Sequence, residues 1–93
     1  MADDATIRDG IIALLSARAS TSSICPSDVA RTLHADEAAW RAAMPDVRRV
    51  AALLSERGVI AVTQGERVLP SADVLMATGP IRLRRGPQFP VDA

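Results

Sequence analysis

The stretch "ICPSDVARTL", residues 24–33, holds the chain's only cysteine, Cys25, directly before Pro26. A thiol at a helix start meets the positive end of the helix dipole, which favours the nucleophilic thiolate form, and Arg31 is near in sequence. Nucleophilic catalysis also needs a base and a group that orients it. The only histidine, His34, stands nine residues on, past the far end of a helix about 12 Å long at ~1.5 Å per residue. That spacing does not make a Cys–His pair, so Cys25 reads as a small buried residue at a helix start.

His34 with Asp36 and Glu37 can be drawn as half a metal site, but no second Cys or His closes a tetrahedral ligand set. A histidine near the negative end of a helix dipole is the expected role. The hydroxyl-rich run Ser20 to Ser23 has no base beside it, and Gly10, Gly58, Gly65, Gly79 and Gly86 are scattered singly and form no phosphate loop. The expectation is a protein that is not an enzyme, with no cofactor, no metal and no small-molecule substrate.

A chain of 93 residues has room for one domain. With 48% hydrophobic and 24% charged residues it has the composition of a globular protein rather than a disordered one. One Phe, one Trp and no Tyr leave the core to Ala, Val, Ile and Leu, which favours small, closely packed helices over sheet. A lone cysteine, the acidic start Met1-Ala2-Asp3-Asp4 and the shortness of the longest apolar stretch, Ile11 to Leu15, lead us to expect a cytoplasmic protein with no membrane contact. The 11 basic and 11 acidic residues cancel overall. They divide unevenly, with a balance of −3 over residues 1–47 and +3 over residues 48–93.

The apolar spacing supplies the elements. Residues 5–18 place Ile7, Ile11, Leu14 and Leu15 on one helical face, with Asp4 as the expected N-cap. Pro26 suits the first position of a short second helix, and Asp28 its first turn. Residues 35–44 read as a further helical turn anchored by Trp40 as a wedge between helices. Pro45 then opens a new helix, "PDVRRVAALLSER", stopped by Gly58. The period changes to two in "VIAVT", residues 59–63; Gln64-Gly65 and "ERVL" complete a hairpin, and "GPIRLRR" reads as a strand buried on one face. Residues 70–79 suggest a connecting loop with a helical turn. The result is a mainly α fold with a small β-sheet, an α+β winged helix-turn-helix in one domain spanning 1–93, with loose ends at 1–4 and 86–93.

Four segments, "ICPSDVAR", "WRAAMPDVR" (40–48), "LLSERGVIAVTQG" (53–65) and "GPIRLR" (79–84), resemble the small bacterial family known as domain of unknown function 3253. The resemblance runs from residue 7 to residue 85. It implies a winged-helix-like fold and carries no activity or catalytic residue over to this chain.

The arginines are the remaining functional signal. With the helix that begins at Pro45 in the recognition position, Arg48 and Arg49 lie in its first turns, and with Ser55 would face the major groove of double-stranded DNA. Gln64 and Arg67 would meet phosphates beside the wing, and Arg82, Arg84 and Arg85 a flanking backbone. This is the DNA-binding, transcription-regulatory reading. In the alternative, the fold is a protein-interaction module that binds a partner or a second copy without DNA, using Ala52 and the exposed apolar residues around Met76.

Overall fold

The computed structural model describes residues 3–90. Asp3, not Asp4, caps the first helix: its carboxylate accepts a hydrogen bond from the Thr6 backbone N–H at 2.8 Å. The side chain three residues ahead of an orphan N–H is the one that reaches it, and Asp4 is left in the first turn to pair elsewhere. Helix α1 spans Asp4–Ser16 and buries Ile7, Ile11 and Leu15 as one stripe. A two-residue strand β1, Ser23–Ile24, follows.

Helix α2, Pro26–Leu33, begins with proline at its first position and carries Cys25 as its N-cap. The Cys25 backbone N–H donates to Asp28 Oδ2 at 2.9 Å, so the carboxylate serves both the chain entry and the dipole. Cys25 is half-buried rather than buried. His34 is the C-cap at the opposite end of the helix.

The two helical pieces expected on either side of Pro45 are one helix, α3, Glu37–Glu56, with Pro45 inside it. The core stripe explains why it continues. Ala43, Val47, Val50 and Leu54 follow at helical spacing across the proline, all packed into or against the core. Pro45 itself is exposed, so the Arg41 carbonyl that loses its N–H partner lies on the solvent side, where water serves it. Asp36 starts the helix by accepting from the Ala39 N–H at 3.0 Å. Arg48 and Arg49 therefore sit in the middle of a long helix, not in its first turns. Gly58 ends it at φ +75°, with the Val59 N–H donating to the Leu54 carbonyl at 3.0 Å.

Strands β2, Ile60–Gln64, and β3, Arg67–Leu69, form the hairpin, and Gly65 takes φ +60° at the first turn position. Helix α4, Ser71–Val74, carries the chain to β4, Arg82–Arg85. The sheet is antiparallel with order β1-β4-β2-β3. Ile24, Leu83, Val62 and Leu69 are paired across it in one row and are all buried. This row closes the core against the helices. The fold is α+β, with an element order and sheet consistent with a winged-helix-like arrangement and with β3 and α4 inserted before β4 enters the centre of the sheet.

Where the expected loose ends are described, they are bonded to the body. Asp4 pairs with Arg49. The Gly86 N–H donates to the Val59 carbonyl at 3.0 Å, the Gln88 N–H donates to the Gly58 carbonyl at 2.8 Å, and Phe89 is buried. Residues 1–2 and 91–93 of those ends lie outside the described residues.

Candidate interaction surface

The sheet alternation sends Leu83 inward and Arg82 and Arg84 outward. Arg82 lies along β1: its Nε donates to Ser23 Oγ at 3.0 Å, Nη2 to the Ser23 carbonyl at 3.0 Å and Nη1 to Cys25 Sγ at 2.7 Å. Arg84 donates from Nη2 to the Thr21 carbonyl at 3.0 Å. Arg85 turns the other way and gathers the C-terminal end of α1, donating from Nη2 to the carbonyls of Leu15 and Arg18 at 3.0 and 3.1 Å. A cation at the negative end of the dipole is favoured there, and the guanidinium also lies 4.7 Å from the Phe89 ring centre.

Arg48 and Arg49 on α3 are likewise engaged. Arg48 donates to the carbonyls of Ala77 and Gly79 at 3.3 and 3.0 Å, fastening the chain between α4 and β4 to the helix. Arg49 reaches α1 and grips Asp4 with both nitrogens, at 2.8 and 2.7 Å. That bidentate pair holds the Asp4 carboxyl below its ordinary range and raises the Arg49 guanidinium. Arg49 also bonds Asp46 at 3.4 Å. The hydrogen bond from Thr6 likewise lowers Asp3. Of the other expected contact residues, Ser55 donates to the Ala52 carbonyl at 2.9 Å and Gln64 to the Thr78 carbonyl at 2.7 Å. Arg67 is exposed on the hairpin, with no side-chain hydrogen bond or ion pair among the described residues.

These eight residues do not share one face. Arg82 and Arg84 lie together on the outer side of the sheet, Arg48 and Arg49 are on the helix layer behind its inner side, and Arg85 is at the end of α1. Trp40, expected as a wedge between helices, is half-buried with the guanidiniums of Arg31 and Arg41 at 4.6 and 4.9 Å from its ring centre. Among the described residues, no three His, Cys, Asp or Glu side chains come together as a metal site. Among the described residues, no helix is long and apolar enough to cross a membrane.

A different surface carries Leu53 and Leu75, two of the four exposed large apolar side chains among the described residues; the others are Met76 and, on the hairpin strand β3, Val68 at 63% exposure. Leu53 on α3 is 43% exposed and Leu75, just past α4, is 58% exposed. Both line a groove of about 320 Å³ between α3 and α4. On the other side of Leu53 lies a second groove of about 190 Å³ between α3 and the start of α1, with Val50, Leu53 and Leu54 on its apolar side and Arg8 and Arg57 among its polar lining. Met76, 80% exposed, borders a third depression beside Arg67. The expectation that named Ala52 and Met76 touched this side of the molecule but missed Leu53, Arg8 and Arg57. A signal was present in the doubled leucine of "AALLSER": two adjacent leucines on a helix stand about 100° apart. Leu54 in the core leaves Leu53 outside.

The family model described as "Protein of unknown function (DUF3253)" matches residues 4–86. A search of curated proteins gives no match.

Proposed function

The chain belongs to the DUF3253 family of proteins of unknown function, and we propose that it is a non-catalytic protein-interaction module whose binding surface is the C-terminal half of α3 with its flanks, α1 and α4. The observation that carries this reading is the pair Leu53 and Leu75. These are two large apolar side chains exposed on the same groove, where burial against a partner would remove both from water.

The rival reading, duplex DNA as partner, would draw, Arg67 excepted, on guanidiniums that already donate to carbonyls and carboxylates of their own chain. Binding phosphate would exchange one set of charge-assisted hydrogen bonds for another and loosen the contacts that hold β4, α1 and the α4–β4 connection in place. An interaction through Leu53 and Leu75 leaves those contacts intact.

A photo-reactive phenylalanine analogue placed at Leu53 tests the proposal, with the same group at Ala61 on the outer sheet face as its counterpart. Irradiation in cells is expected to join a protein to position 53 and not to position 61. A nucleic-acid adduct from position 61, or no protein adduct from position 53, would overturn it.

A further inference from the structure

The groove between α1 and α3 has a charge pattern that says what kind of segment fits it. Val50 and Leu54, 3% and 4% exposed, are core residues whose edges reach its floor, and Leu53 forms its ridge. A volume of about 190 Å³ is comparable to the ~150 Å³ cavity that holds a benzene ring, so one large apolar side chain fills it. The acid that lines the groove, Asp4, is held by both nitrogens of Arg49, and its charge is answered within the chain. Two guanidiniums then remain. Arg57, the C-cap of α3, makes no side-chain hydrogen bond or ion pair among the described residues. Arg8, on α1, is hydrogen-bonded only to its sequence neighbour Asp9 at 3.3 Å, with both side chains about half exposed or more, and its other acidic neighbour is the exposed Asp3; both are weak associations in water.

Resting on the protein-binding reading above, we propose that this groove takes an acidic amphipathic segment of a partner protein, placing one large apolar side chain on Val50, Leu53 and Leu54 and carboxylates on Arg8 and Arg57. The pattern is that of an apolar anchor in a slot with cations at the rim, which suits a short helix whose apolar stripe is flanked by Asp or Glu.

The test uses the full chain and two fluorescein-labelled 15-residue peptides with the same Leu/Phe stripe, one with Glu on its flanks and one with Lys. Fluorescence anisotropy is expected to show saturable binding of the Glu peptide and none of the Lys peptide. Arg57→Ala and Arg8→Ala should each weaken binding roughly tenfold. Leu53→Ala should do the same, while Arg57→Lys retains most of the affinity and Arg67→Ala leaves it unchanged. Amide shifts on binding should fall at residues 4–8 and 50–57, and circular-dichroism melting of each variant separates lost binding from lost fold. Equal or tighter binding of the Lys peptide, indifference to Arg8 and Arg57, or shifts confined to the outer sheet face would overturn the proposal. A protein cross-linked at position 53 while both peptides fail to bind overturns this inference and leaves the protein-binding reading standing; no protein adduct at 53 removes that reading itself.

Discussion

Strand β4 and the C-terminal end of α3 both carry arginine, and they use it in opposite ways. On the sheet side Arg82 and Arg84 lie flat along β1 and the turn before it, and Arg85 closes the end of α1. Their guanidiniums add hydrogen bonds to carbonyls of β1, only two residues long, of the turn before it and of the end of α1. On the α3 side Arg57 has no such duty among the described residues, and beside it stands a leucine that the core did not take in. Arginine content alone does not distinguish a brace from a binding group; what decides it is whether the guanidinium is already hydrogen-bonded within the chain.

The widest contrast lies between two leucines. Leu83, fully buried in the centre of the sheet, should cost about 2–5 kcal/mol of stability when changed to Ala, by lost transfer energy and the cavity left behind. Leu53→Ala should stay within ~0.5 kcal/mol, as surface substitutions do, while weakening partner binding. Urea denaturation reads both values. A large loss at Leu53 would make it a core residue and end its role as ridge of a docking groove.

A second contrast concerns two glycines. A Cβ on Gly86 would come within 2.3 Å of the Gly58 carbonyl oxygen, where β4 leaves the sheet, whereas one on Gly65 meets nothing within 4 Å. Gly86→Ala should therefore destabilise by about 1–3 kcal/mol through forced backbone movement. Gly65→Ala carries only the strain of its φ of +60°, about 1–2 kcal/mol. If Gly65→Ala melts at or below the temperature of Gly86→Ala, the close approach of Gly86 to Gly58 is not maintained in solution.

Arg85→Ala and Arg57→Ala compare the two uses of arginine directly. The first removes two hydrogen bonds to the end of α1 and the cover over Phe89, an expected loss of about 1–2 kcal/mol. The second should be within ~0.5 kcal/mol of the parent. Equal losses in thermal denaturation would erase the distinction between brace and binding group.

The smallest effect is that of pH. Asp3 and Asp4 both have folded-state values below the ordinary 3.8, Asp3 through the Thr6 hydrogen bond and Asp4 through Arg49. A depressed carboxyl contributes stability that is present above the unfolded value and is lost as pH falls through the folded one. Stability should decline below about pH 4, with fraying of the N-terminal end of α1. Asp4→Asn should abolish the Arg49-linked part of that decline and leave the Asp3 part. Both are exposed, so added salt should shrink the Asp4 contribution.

The helices, the hairpin and the last strand are legible in the residue pattern because each is fixed by a local period or a turn residue. Gly58 announces the stop of α3 and Gly65 the hairpin. Pro45 misleads, because its local signal is that of a helix start and the stripe that carries α3 through it declares itself only once Val47, Val50 and Leu54 share a core with Ala43. Asp3 and Asp4 are interchangeable as caps until Arg49 claims one of them. The engagements of the arginines are the least legible of all. Arg85 meets the Leu15 carbonyl across 70 residues of sequence and Arg82 meets Ser23 across 59, distances at which no spacing rule operates. The exposed pair Leu53 and Leu75 depends in the same way on α4 lying down beside α3.

The most direct measurement is the arginine side-chain NMR spectrum at neutral pH and low temperature, recorded alone and with a random-sequence DNA duplex at low salt. The guanidiniums of Arg48, Arg49, Arg82, Arg84 and Arg85 are expected to show hindered rotation and separate, exchange-protected Nη–H signals in the protein alone, and Arg57 and Arg67 averaged ones, with no change on adding duplex. Averaged signals from Arg82, Arg84 and Arg85 that become hindered only when DNA is added would contradict the claim that these side chains are already spent on the chain's own carbonyls.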